Sequence, residues 1–129
     1  MKYHEDLNNA LNLFLKRNKN NILIGEDIAD PYGGAFKITK GLSNKYPYQV
    51  ISTPISEATI LGAATGLYLK GHKVIAELMF GDFITLGCDQ IINGISKFID
   101  LEKNYSKKNN GSFILRSPMG AYRGYGSTH

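Results

Sequence analysis

The sequence predicts an α/β fold: a doubly wound, mainly parallel sheet with helices on both faces. Three observations carry that prediction. Short apolar runs at 22–24, 49–52, 72–78 and 112–116 alternate with stretches of helical periodicity. Turn and breaker residues separate them, among them Asp30-Pro31, Gly33-Gly34, Pro54 and Gly71. The strand–helix alternation repeats, and strands alternating with helices pair in parallel through right-handed crossovers.

Each element has its own reason. Residues 4–17 carry Leu7, Ala10, Leu11 and Phe14 at helical spacing, the pattern of an amphipathic helix. Asn18 to Asn21 is a polar break. Ile22, Leu23 and Ile24 run apolar up to Gly25 and read as a buried strand. Glu26 to Phe36 reads as a loop by its turn residues, and Thr39 to Tyr46 as a short helix. Gln49 to Ser52 is a second strand with β-branched Val50 and Ile51. Pro54 breaks the chain, and Ser56 is placed to cap a helix from Ala58 to about Leu69. A third strand follows at His72 to Leu78. Phe83, Leu86, Ile91, Ile95 and Ile99 then predict one long helix over 82–102. Lys103 to Gly111 reads as a basic surface loop and Ser112 to Arg116 as a fourth strand. The tail from Ser117 to His129 holds Gly120, Gly124 and Gly126 and has no periodicity.

The bulk properties exclude several classes. The 129 residues suffice for one domain, assigned here to residues 1–129. Ending inside a glycine-rich loop, that domain is expected to be the N-terminal part of a longer subunit. The net charge of +4 comes mostly from twelve lysines scattered along the chain. That is a solvated surface, whereas a nucleic-acid footprint needs clustered cations. The single cysteine, Cys88, allows no internal disulfide and is expected as a small buried core residue. No apolar run reaches the roughly 20 residues that span a bilayer, and no secretory pattern is present, so the expected setting is cytoplasmic.

In a parallel sheet the loops at 26–36, 53–57 and 79–83 and the tail after Arg116 gather on one edge. That edge is where open α/β folds bind ligands. The loops bring carboxylates (Glu26, Asp27, Glu57, Asp82) and aromatics (Phe36, Phe80, Phe83, Tyr122, Tyr125). Glu57 holds the most informative position, between a strand and a helix. There it could hold a proton on a basic ring nitrogen of a ligand, or merely complement the helix dipole. Gly62 and Gly66 form a GxxxG inside the helix at a cost of roughly 1 kcal/mol each relative to alanine, which a close approach by a neighbouring helix or a partner subunit would offset, tight helix packing being the reading preferred. Arg123 could clamp a carboxylate or simply face solvent. His4 and His72 look like surface residues, and His129 is the histidine best placed for chemistry. Neither a dinucleotide GxGxxG nor a P-loop is present.

Six segments occur in one order: Gly25-Glu26-Asp27, Gly33 to Phe36, Thr53 to Glu57, Glu77 to Phe83, Asp89 to Asn93, and Arg123 to His129. In this the chain resembles the beta subunit of thiamine diphosphate-dependent 2-oxo acid dehydrogenases, the decarboxylating components of the pyruvate, branched-chain and acetoin complexes. The resemblance runs from about residue 22 to the end and corresponds to the pyrimidine-binding, transketolase-like domain. It implies that Glu57 hydrogen-bonds the cofactor's pyrimidine nitrogen and so activates it, and that Phe83 packs on the ring. It implies that Ile55 and Met79 line the same site and that His129 faces the substrate and lipoyl arm. It further implies an alpha subunit, or fused domain, that binds the diphosphate and holds the magnesium. A lipoyl-bearing acyltransferase and an α2β2 hetero-oligomer belong to the same expectation. The chain alone would then be inactive. Two other readings stay open at this point: a transketolase-like subunit moving two-carbon units, and a truncated partner-binding domain without activity.

Overall fold

The computed structural model describes residues 2–105 and 109–120. Its organising element is β1 (Asn21–Glu26), buried at all six positions. A strand whose every side chain is buried must be covered on both faces, and its Ile-Leu-Ile run supplies both. It pairs in parallel with β2 (Val50–Thr53) on one side and β3 (Lys73–Glu77) on the other. β4 (Ser112–Arg116) adds to β3, also in parallel, giving the order β2-β1-β3-β4.

Alternate side chains of the sheet feed two cores. Ile22, Ile24, Val74 and Ala76 pack under α3 (Glu57–Leu69), against Ile60, Leu61, Ala64 and Tyr68. Leu23, Val50 and Ile75 face the other way, onto Leu11 and Leu15 of α1 (Tyr3–Arg17) and Leu42 of α2 (Leu42–Lys45). The expected doubly wound sheet with helices on both faces is therefore present.

Four local expectations need correction. The long helix over 82–102 does not form as one piece. A 3-10 turn (Gly81–Gly87) and a π segment (Gln90–Ser96) precede α4 (Lys97–Tyr105). Gly81 and Gly87 are buried where a Cβ would strike Met119 and Leu61 respectively, so packing overrides the helical spacing. Cys88 is exposed, because the tighter 3-10 turn rotates it away from the sheet. The short helix over 39–46 shrinks to α2, since Thr39 is spent on the loop before it: its hydroxyl donates to the Ile28 carbonyl at 2.7 Å. The first three residues of the expected basic loop, 103–105, belong to α4, and Asn109 ties its far end to the Tyr68 carbonyl at 3.1 Å.

The loop leaving β1 is built tightly. Asp27, Phe36 and Lys37 all take positive φ. Each costs of order 1 kcal/mol or more, so the surrounding bonds must over-determine them. Gly34 donates to the Asp27 carbonyl at 3.0 Å, and Asn8 on α1 donates to the carbonyls of Ile38 and Lys40 at 2.7 and 3.1 Å. At Gly34 (φ 72°) a Cβ would sit 2.6 Å from the Thr39 hydroxyl, so glycine is required twice over.

Candidate functional site

The order β2-β1-β3-β4 reverses direction between β1 and β3, and a ligand crevice in such sheets opens beyond the carboxyl ends at that switch point. β1 ends there on Glu26 and β3 on Glu77. Glu57 arrives at the same edge from β2, as the first residue of α3. Ser56 holds the expected cap position with extended backbone (φ −170°, ψ 92°), but its hydroxyl donates to Thr59 Oγ1 at 2.8 Å and caps no backbone amide.

Glu57 is 8% exposed and Glu26 only 3%. The Glu26 carboxyl is pushed up to about 7, first by loss of water, then by the Glu57 and Asp27 carboxylates. The Met79 backbone amide donates to it and opposes the rise, while Glu77 adds to it. Among the described residues its Oε1 has no hydrogen-bond partner. Nor has Oγ1 of Thr53, the residue that faces Glu26 across the β1–β2 ladder. Among the described residues two buried polar atoms at the paired ends of β1 and β2 thus stand unsatisfied, where most such groups in folded proteins are paired.

The apolar side of this edge comes from the β3–α4 connection. The 3-10 turn carrying Phe83 packs on α3, with Gly87 against Leu61 and the Glu57 carbonyl. Phe80 and Phe83 meet edge to face, centroids 6.3 Å apart. Met79 reaches the site through its backbone N–H, which donates a hydrogen bond to the Glu26 carboxylate. Ile55 stands at the rim, 75% exposed. The structure therefore brings Glu57, Met79 and the Phe83 turn to one edge, with Ile55 at its border. His129, with Tyr122, Arg123 and Tyr125, lies outside the described residues.

On the other face Glu77, 1% exposed, meets Arg116 with Nη1 and Oε2 3.2 Å apart. The two atoms make no aligned hydrogen bond, so the contact is coulombic. Burial pushes the Glu77 carboxyl up and Arg116 pulls it back. Nearby is a cleft of about 670 Å³ lined by Tyr3, Leu7, Phe36, Ile38, Arg116 and Met119. It opens on the α1 face, whereas Glu57 heads α3.

Thr53 and the Glu77–Arg116 pair were not legible as site residues beforehand. The pair had a signal: a carboxylate ending one apolar strand and a guanidinium ending its neighbour, at matching register. Thr53 had none, because its role follows from strand register. Among the described residues no group of three His, Cys, Asp or Glu could hold a metal ion, and no helix is long and apolar enough to cross a membrane.

A parallel sheet with a buried carboxylate at the start of the helix after β2 defines a class of α/β ligand-binding domains. The family model for the transketolase pyrimidine-binding domain matches residues 1–129, and the chain belongs to that family. It is 34% identical over 130 residues to 2-oxoisovalerate dehydrogenase subunit beta 2, mitochondrial, of Arabidopsis thaliana, covering 100% of this chain and 35% of that protein. It is 36% identical over 132 residues to pyruvate dehydrogenase E1 component subunit beta-2, mitochondrial, of Oryza sativa subsp. japonica, covering 100% and 34%. It is 40% identical over 104 residues to acetoin:2,6-dichlorophenolindophenol oxidoreductase subunit beta of Bacillus subtilis (strain 168), covering 71% and 30%. The chain spans about a third of the length of these relatives.

Proposed function

We propose that this chain is the pyrimidine-binding half of a thiamine diphosphate-dependent 2-oxo acid dehydrogenase, decarboxylating a 2-oxo acid together with an alpha subunit. The observation that carries the reading is the shielded Glu57 at the start of α3, on the edge where two buried polar atoms stand unsatisfied among the described residues. The family and the three beta-subunit relatives support it. The residues present fit the pyrimidine end of the cofactor: a carboxylate for a ring nitrogen, and apolar side chains for the ring faces. When bound, thiamine diphosphate supplies an acidic carbon and an electron sink for decarboxylation.

The chain's own residues do three things. Glu57 holds a proton on the ring nitrogen and so sets the ring's charge. Phe83, Met79 and Ile55 orient the ring and keep water from it. His129 moves a proton at the substrate end. The diphosphate and its magnesium are assigned to the alpha subunit or a fused domain. The acyl group is assigned to a lipoyl-bearing acyltransferase and the assembly to α2β2. The compartment proposed is the cytoplasm, while the plant relatives above are named mitochondrial.

The test uses the full-length parent with its alpha partner, thiamine diphosphate and magnesium, and a panel of 2-oxo acids. Glu57→Gln is expected to lower decarboxylation by at least about 100-fold with folding intact. Unchanged activity would remove Glu57 from cofactor activation. Transfer to an aldose in place of lipoamide would move the reading to two-carbon transfer.

A further inference from the structure

The cleft on the α1 face has the make-up of a small-molecule site. It holds about 670 Å³, a size usual for ligand pockets, and joins three segments: α1, the loop after β1, and the end of β4. Its wall is mostly apolar. Tyr3 and Leu7 come from α1, Phe36 and Ile38 from the loop, and Met119 from beyond β4. Tyr3, Phe36 and Met119 are exposed large side chains that find no cover among the described residues. Phe36 also holds a left-handed backbone at φ 56°, an outlier for so bulky a residue. Strain of that kind collects at ligand clamps.

The polar groups at the β4 side of the cleft are donors short of acceptors. Arg116 lines it, with its side chain 18% exposed. It touches Glu77, yet among the described residues its Nη1 makes no hydrogen bond. Ser117 lines the same cleft, and its Oγ is equally unsatisfied among the described residues. A guanidinium carries five N–H donors in a planar fork, enough to serve carboxylates on two sides. Glu77 is sealed from solvent and takes one side only. The mouth is basic as well. His4 belongs to the lining, and the adjoining hollow, which shares His4, carries Lys37 and Lys40 against one carboxylate, Glu5.

We propose that this cleft binds a small monocarboxylate with a short apolar or aromatic tail, its carboxylate on Arg116 and Ser117 and its tail against Tyr3, Phe36 and Met119. The proposal goes beyond the pyrimidine-binding reading and does not rest on it. The lining selects this class by what it lacks. A cation would meet Arg116 with no free carboxylate to offset it. A neutral apolar molecule would leave the donors of Arg116 and Ser117 unmet. A phosphate or dicarboxylate brings more charge than one guanidinium already shared with Glu77 can balance. A single carboxylate fills the fork, and the tail removes exposed apolar surface from water.

The test is calorimetric titration of 3-phenylpropionate into the full-length parent with its alpha partner, with and without thiamine diphosphate and magnesium. Saturable binding at one site per copy of this chain is expected, equal in both conditions. Acetate, which lacks the tail, and 3-phenylpropanol, which lacks the charge, should each bind at least about 10-fold more weakly. Arg116→Met should weaken 3-phenylpropionate by at least about 10-fold. Because that change also loosens the fold, two milder variants accompany it. Ser117→Ala should weaken binding about fivefold or more. Phe36→Gly should do the same while keeping the fold, since glycine accepts the left-handed backbone at that position. No saturation with wild type would overturn the proposal. So would unchanged affinity in both Ser117→Ala and Phe36→Gly. Loss of binding when thiamine diphosphate is added would place the probe at the Glu57 edge and overturn the cleft assignment.

Discussion

Replacing Glu26 by Gln should make the fold more stable at alkaline pH and leave it nearly unchanged at acid pH. The carboxyl's pKa rises from 4.5 to about 7 on folding. A raised carboxyl binds its proton more tightly in the folded state. It therefore costs nothing below 4.5, and the cost grows as the pH climbs through about 7. Fully ionised, the penalty is about 3 kcal/mol. Because the group is 3% exposed, screening by solvent is small. Gln keeps the size of Glu and an oxygen for the Met79 amide, and carries no charge to desolvate. Thermal unfolding of the 129-residue chain is the assay. At about pH 8 the midpoint of Glu26→Gln should lie roughly 10 °C above wild type, and at about pH 4.5 the two should nearly coincide. An equal gain at both pH values would mean that the amide packs better for reasons unrelated to charge. A variant less stable at pH 8 would mean that the ionised carboxylate is needed by the fold, and the desolvation argument would fail.

Three further outcomes follow from other parts of the molecule. Arg116→Met should destabilise the chain by about 3 kcal/mol at pH 8 and much less near pH 4.5, because Glu77 loses its counter-charge and must take up a proton instead; equal losses by urea titration at both values would show that Arg116 acts only by packing. Leu61→Ala, at a fully buried position against Gly87, should cost about 3 kcal/mol and lower the urea midpoint without changing the slope. Gly66→Ala should stabilise the isolated chain by about 1 kcal/mol, since nothing lies within 4 Å of the added methyl and alanine is the better helix former; a loss of stability would reveal crowding at that face.

The Gly66 case also marks how far the sequence could be read. The GxxxG at Gly62 and Gly66 predicted close packing on both glycines. Among the described residues of this chain only Gly62 has it, with Gln90 Oε1 3.4 Å from where an added methyl would sit, while Gly66 faces away from them, on the side left to a partner subunit by the other reading. Strand positions were legible because β1, β2 and β3 are short, apolar and bounded by breakers, and all four strands fall within two residues of expectation. The helix over 82–102 was misread because its apolar spacing is helical while its glycines are committed to contacts with Met119 and Leu61. Those contacts join residues far apart in the chain, and local periodicity carries no trace of them. Glu57 could be found from its place between Pro54 and a helical run. Glu26 was visible as an edge carboxylate, but its isolation from water was not, since that depends on Thr53, Met79 and Glu57 converging from three other segments.

The two interior strands have one more consequence. Glu26 and Glu77 end β1 and β3, each laddered to a neighbour on both sides. Amides in such strands exchange with solvent only when the whole domain opens. α4 buries no residue, and the 3-10 turn with Phe83 is held by packing on α3 and Met119 and not by a ladder, so both are expected to exchange sooner than the strands. Hydrogen exchange should therefore divide the edge into a slow acidic floor and a fast aromatic wall. The carboxylates at this edge then keep their register even while its aromatic side moves.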